Sequence, residues 1–214
     1  MKTRDVRFTC GKLKLEGVCY YPDGKGKFPG VVLCHPHPSY GGSMDNNVIM
    51  ALASALAPKG IIAFMFNFRG VGRSQGSFGD GIDEQEDIKA AIDWLASQSE
   101  VDAGRIGVAG YSFGASVALP EARHDPRVRA LALISPSLMD EPKIAQLSDY
   151  SIPKLIISGD ADELVPAKQL DVMKQKAAEP KRFELVPGVN HFWLGHETIL
   201  AEKVTTFFSV VFSC

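Results

Sequence analysis

The sequence predicts an α/β fold, a three-layer sandwich built on a mostly parallel sheet with an antiparallel N-terminal hairpin. Short, nearly continuous apolar runs of strand length recur along the chain, and segments of helical periodicity lie between them. Strands read as such runs when helices cover both faces of a parallel sheet, because neither face then meets water. The opening residues differ: 6–10 and 13–18 alternate apolar with polar on either side of Gly11-Lys12, the pattern of a half-buried hairpin.

After a loop at 22–29, the apolar runs are residues 31–34, 61–66, 106–109, 130–134, 155–157 and 183–186. Helix candidates lie near 45–58, 83–98, 113–123, 167–177 and 197–211, so strand and helix alternate as crossover connections require. No Pro/Gly/Ser-rich linker and no repeat divides residues 1–214, so one domain is expected. Residues 137–153 are the one stretch spare enough to form a lid, so any cap is small.

Of the 214 residues, 45% are hydrophobic and 22% charged, ordinary values for a globular chain. A formal net charge of -2 with no basic block gives nothing to hold the phosphates of a nucleic acid, so no nucleic-acid partner is expected. The N-terminus runs from charged residues directly into strand-like sequence, without the apolar stretch of a signal peptide, and a cytoplasmic location is the expectation. Residues 204–212 are apolar but far shorter than the roughly 20 a bilayer span needs, so they are read as a buried terminal helix and no membrane association is expected. Cys10, Cys19, Cys34 and Cys214 lack zinc-site spacing and are read as buried thiols, with Cys10 facing Cys19 across the hairpin as the weaker alternative.

The segment Gly110-Tyr111-Ser112-Phe113-Gly114 matches G-x-S-x-G and stands after an apolar strand and before a helix. A sharp strand-to-helix turn brings backbones close, which is why small residues flank the serine at two positions either side. The turn places Ser112 at a helix N-terminus, where free N–H groups favour developing negative charge, so the Phe113 N–H is a natural oxyanion donor. A helix-capping serine is the bland alternative.

A serine hydroxyl needs an adjacent base, and the base needs a carboxylate to orient it. Strand 155–157 is followed by Gly159-Asp160-Ala161-Asp162-Glu163, a loop offering three carboxylates. Strand 183–186 is followed by a turn that presents His191 before the last helix. The chain order nucleophile, acid, base is therefore available, with Ser112 as nucleophile and His191 as base. His124 and His196 are read as structural.

These segments together resemble the α/β-hydrolase superfamily over nearly the whole chain, and within it the small, dienelactone-hydrolase-like serine hydrolases with minimal cap. Asn67-Phe68-Arg69-Gly70-Val71-Gly72-Arg73-Ser74 is similar to the family's D-x-R-G-x-G-x-S loop, with Asn67 in place of Asp. Gly159 to Pro166 resembles G-x-x-D-x-x-V-P, which implies Asp162 as the acid and Asp160 as an auxiliary loop residue. Cys34-His35-Pro36-His37 stands where relatives carry H-G and the second oxyanion donor. Pro36 and Pro38 have no N–H to offer, so the resemblance implies the His37 N–H, with Ser39 or Tyr40 as substitutes.

The resemblance implies a serine hydrolase acting on carboxylic esters, with Ser112, Asp162 and His191 as the triad and no cofactor. A minimal cap implies an open pocket for small or medium acyl groups, walled by Tyr40, Met139 and Phe113. Thioesterase, amidase or peptidase activity on the same triad, and a non-catalytic ligand-binding protein, are the alternatives. His35-x-His37 lacks a third ligand, so no metal is expected, and residues 70–76 do not keep a dinucleotide-loop spacing. A small-molecule ester is the expected partner, and homodimerisation is left open.

Overall fold

The computed structural model describes residues 2–137 and 140–213. Strands β1 (Lys2–Cys10) and β2 (Leu13–Tyr21) form the N-terminal hairpin. Strands β3 (Phe28–Cys34), β4 (Ile62–Phe66), β5 (Val101–Tyr111), β6 (Val128–Ile134), β7 (Lys154–Gly159) and β8 (Lys181–Val186) are parallel to one another, and the sheet order is β1-β2-β4-β3-β5-β6-β7-β8. The predicted architecture is therefore the observed one.

Helices α1 (Asn47–Leu56) and α6 (Glu197–Phe212) cover one face. Helices α2 (Glu84–Ala96), α3 (Phe113–His124) and α5 (Ala167–Lys176) cover the other. Alternation within the strands shows why the runs are continuous: Leu131 and Leu133 of β6 join the α2–α3 core, while Ala130, Ala132 and Ile134 join the α1–α6 core. Strands β4 and β7 are thus buried along their whole length and β6 all but Arg129, as the sequence pattern requires; the edge strand β8, expected to be buried on both faces, leaves Arg182 and Leu185 exposed because no strand pairs with its outer side. Among the described residues no helix is long and apolar enough to cross a membrane.

One strand boundary is corrected, the buried-thiol reading holds for Cys10, Cys19 and Cys34 over its alternative, and the described part of the spare segment is packed. Strand β3 begins at Phe28, inside the expected loop, because Phe28 pairs with Val101 and its N–H donates to Glu100 O at 2.8 Å. Cys10 and Cys19 do not face each other: Cys10 pairs with Leu13 and Cys19 with Arg4, and both are buried free thiols, as is Cys34. Cys214 lies outside the described residues. The spare segment is no loose flap, since within it the short helix α4 (Glu141–Ala145) and the residues after it bury Ile144, Leu147 and Tyr150 in the core on the α3–α5 side.

The loop after β4 works as a clamp. Asn67 accepts from the Met44 N–H at 2.8 Å and donates through Nδ2 to buried Glu16 Oε1 at 2.9 Å, so it ties the approach to α1 onto the hairpin. An Asp here would set carboxylate against carboxylate, which gives the departure from the family motif a physical reason. Arg69 docks on buried Asp87 with its Nε and Nη2 at 2.8–3.1 Å, fixing the same loop on α2.

Candidate active site

The turn between β5 and α3 holds Ser112 at φ 56°, ψ -117°, a strained backbone for a residue with a side chain. It is sustained by tight packing. A Cβ on Gly114 would lie 2.3 Å from Cys34 O and 2.6 Å from His35 O, and one on Gly110 would lie 2.4 Å from Gly114 O. The turn therefore presses against the end of β3, and Ser112 projects from the carboxyl ends of the parallel strands.

The two loops after β7 and β8 bring the acid and the base to it. His191 Nε2 lies 2.9 Å from Ser112 Oγ, and His191 Nδ1 lies 2.9 Å from each oxygen of Asp162. Asp162 Oδ1 also accepts from the Leu164 and Val165 N–H groups at 3.0 Å, and Oδ2 from Ser158 Oγ at 3.1 Å. Burial alone would raise the Asp162 pKa, but the His191 hydrogen bond and charge, with the Ser135 hydroxyl and the Leu164 N–H, outweigh it, so the carboxyl sits below its ordinary value. Asp162 is thus an anion suited to orient an imidazole.

The other loop carboxylates are placed elsewhere. Asp160 is exposed and accepts from the Gly188 N–H at 2.7 Å, bracing the acid loop against the histidine loop, and Glu163 is exposed. Tyr111 Oη donates to His191 O at 2.8 Å, and the buried Trp193 indole donates to Ser135 Oγ at 3.0 Å, so the histidine loop is pinned from both sides.

His35 is fully buried and structural. Its Nε2 accepts from the Phe68 N–H at 3.1 Å, which leaves the proton on Nδ1 to donate to Pro36 O at 2.7 Å. Both nitrogens are thereby engaged, and among the described residues no group of His, Cys, Asp and Glu suits a metal ion. Burial lowers its pKa from 6.5 to about 4. The folded state therefore binds fewer protons than the unfolded chain between those values, so this stabilisation is complete above about pH 6.5 and is lost as pH falls towards 4. At about 1.4 kcal/mol per pH unit this reaches at most about 3 kcal/mol. Urea unfolding at pH 7 and pH 4.5 should show the loss, and His35→Gln, which keeps an acceptor without titrating, should show a smaller one.

The His37 ring packs at a tilt against Phe113, Phe78 and Tyr40 at centroid distances of 4.8, 5.0 and 4.9 Å, while its Nδ1 accepts from the Ser39 N–H at 3.2 Å. The N–H groups of His37 and Phe113 have no acceptor among the described residues. The Phe113 ring, expected to wall the pocket, is instead buried beneath His37 among Phe68 and Phe78. Met139 lies outside the described residues.

A cleft of about 610 Å³ opens over Ser112 and His191, lined by His37, Tyr40, Leu164 and Phe192 among others. Tyr40 is strongly exposed there. Leu164, Phe192 and Ser137 were missed; each flanks or faces a triad position, and adjacency to the strand-end loops was the one available signal. Ser137 Oγ lies 2.9 Å from Ser112 Oγ.

With this geometry established, the family description "X-Pro dipeptidyl-peptidase (S15 family)" matches residues 11–187. The chain belongs to this family. The fold is that of a small α/β-hydrolase. An α/β serine hydrolase homologue from Coxiella burnetii is 35% identical with TM-score 0.86, covering 96% of this chain and 97% of that one. A lidless α/β serine hydrolase from Xanthomonas campestris is 29% identical with TM-score 0.83, covering 97% and 94%. An uncharacterised Rickettsia prowazekii protein, RP471, is 32% identical over 172 residues, which are 77% of this chain and 72% of that protein.

Proposed function

We propose that this member of the family is a serine hydrolase that cleaves carboxylic esters of small or medium acyl groups through an acyl-enzyme on Ser112. The observation that carries this reading is the unbroken hydrogen-bond chain from Asp162 through His191 to Ser112 at the floor of an open cleft. His191 takes the Ser112 proton as Oγ attacks the acyl carbon, then gives it to the leaving group, while Asp162 stabilises the imidazolium. Water repeats the sequence to release the acid. The Phe113 and His37 N–H groups, free of other acceptors, take the oxyanion.

The family description raises a second reading, cleavage after an X-Pro dipeptide. Such a substrate brings a free ammonium into the cleft, and a buried ammonium needs a counter-charge. The described residues lining the cleft include no carboxylate. This favours a neutral acyl group. A panel of acyl esters and thioesters of increasing chain length with an Ala-Pro anilide tests it: the short and medium esters should exceed the anilide at least a hundredfold in kcat/KM. Faster anilide hydrolysis would select the peptidase, and a maximum at long chains would overturn the acyl-size assignment.

The His37 backbone has φ -58°, a value proline adopts, so His37→Pro removes the N–H without forcing the chain. Loss of one oxyanion donor should lower kcat on the order of 10²- to 10³-fold with little change in KM. His37→Ala keeps the N–H and should retain most activity. Equal losses in both variants would place the donor elsewhere.

A further inference from the structure

Ser137 stands just beyond β6, where the chain reaches the cleft, 2.9 Å from Ser112 Oγ. The direction of that hydrogen bond follows from its neighbours. Asp162 holds His191 Nδ1 through both oxygens, so the ring proton is there and Nε2 offers a lone pair. Ser112 gives its only proton to that lone pair. Ser137 must therefore be the donor to Ser112 Oγ. A hydroxyl oxygen has two lone pairs; with one occupied by Ser137, the other is left free to attack.

We propose that Ser137 is a catalytic hydrogen-bond donor to the reacting oxygen, acting mainly when the acyl group leaves Ser112; this rests on Ser112 being the nucleophile. In the free enzyme the Ser137 bond to Ser112 Oγ is already made, so attack gains only the part by which that bond strengthens as the proton leaves, whereas the acyl-enzyme starts from an ester oxygen that accepts poorly. Deacylation reverses the flow of charge. Water adds to the acyl carbon and its proton passes to His191 Nε2; the C–Oγ bond then breaks, its electron pair moves to Oγ, and Nε2 returns a proton to Oγ. As charge builds on Oγ the Ser137 hydroxyl is already aimed at it, and a hydrogen bond to a charged oxygen is roughly twice as strong as one to a neutral oxygen.

The test uses p-nitrophenyl acetate, whose good leaving group makes acylation fast, so that kcat reports deacylation. The unaltered protein, Ser137→Ala and Ser137→Thr are compared by steady-state kinetics and by intact mass during turnover. Ser137→Ala should lower kcat on the order of tenfold, with KM also falling, kcat/KM falling clearly less than kcat and acetyl-enzyme accumulating. Ser137→Thr keeps the hydroxyl and should restore most of kcat; Ser137→Gly replaces the alanine variant should that one not fold. Unchanged kcat, or a loss of kcat/KM as large as that of kcat without acetyl-enzyme, would overturn the proposal while Ser112 remains the nucleophile. If the unaltered protein forms neither an acetyl-enzyme nor a fluorophosphonate adduct, the nucleophile assignment fails and this proposal fails with it.

Discussion

Ser112→Ala and His191→Ala are each expected to lower kcat about 10⁴- to 10⁶-fold, and the double variant little further, because the two side chains act as one unit. Neither substitution removes the oxyanion donors or the cleft, so KM should change far less. Asp162→Asn should cost about 10⁴-fold. Its amide nitrogen would meet donors: Oδ1 now accepts two backbone N–H groups and Oδ2 a serine hydroxyl, while both face the His191 Nδ1 proton. Satisfying the amide would move that proton to Nε2 and remove the base. Asp160→Asn keeps an acceptor for the Gly188 N–H and should stay within about tenfold of the unaltered protein. Kinetics on a short-chain ester, with folding checked by circular dichroism, separate the two; a large loss at Asp160 with little at Asp162 would reverse the assignment.

Gly159→Ala and Gly114→Ala are expected to be among the most damaging small substitutions in the site. A Cβ at Gly159 would lie 1.8 Å from Val189 O and 2.5 Å from Val189 C, and one at Gly114 would lie 2.3 Å from Cys34 O. The obstacles are backbone, which cannot swing aside as a side-chain end does. Each variant should lose more than about 4 kcal/mol of stability or fail to fold, since the loops carrying acid, base and nucleophile would have to separate. Gly104→Ala is the control: its Cβ would meet only the Asp102 carboxylate at 3.3 Å, and the change should stay within about 0.5 kcal/mol. Urea unfolding of the three variants measures this.

The parallel sheet was legible because burial on both faces writes strands as unbroken apolar runs. Ser112 was legible because the elbow imposes its own residue requirements at Gly110 and Gly114, and these survive as a motif. Asp162 needed the family likeness, since spacing alone does not separate it from Asp160; the structure separates them by which loop N–H groups each one faces. Ser137 was legible only as a residue just past a strand end. Its nearness to Ser112 comes from β6 lying beside β5 in the sheet, a relation across 25 positions of sequence that no local pattern encodes. The Phe113 ring was misplaced because its backbone N–H and its side chain serve different surroundings, one at the cleft and the other in the aromatic layer beneath it.

An activated Ser112 is read most simply by intact mass after exposure to a fluorophosphonate. A single adduct is expected on the unaltered protein, absent from Ser112→Ala and strongly slowed in His191→Ala. Folded, unaltered protein that takes up no adduct, or an adduct that persists in Ser112→Ala, would contradict it.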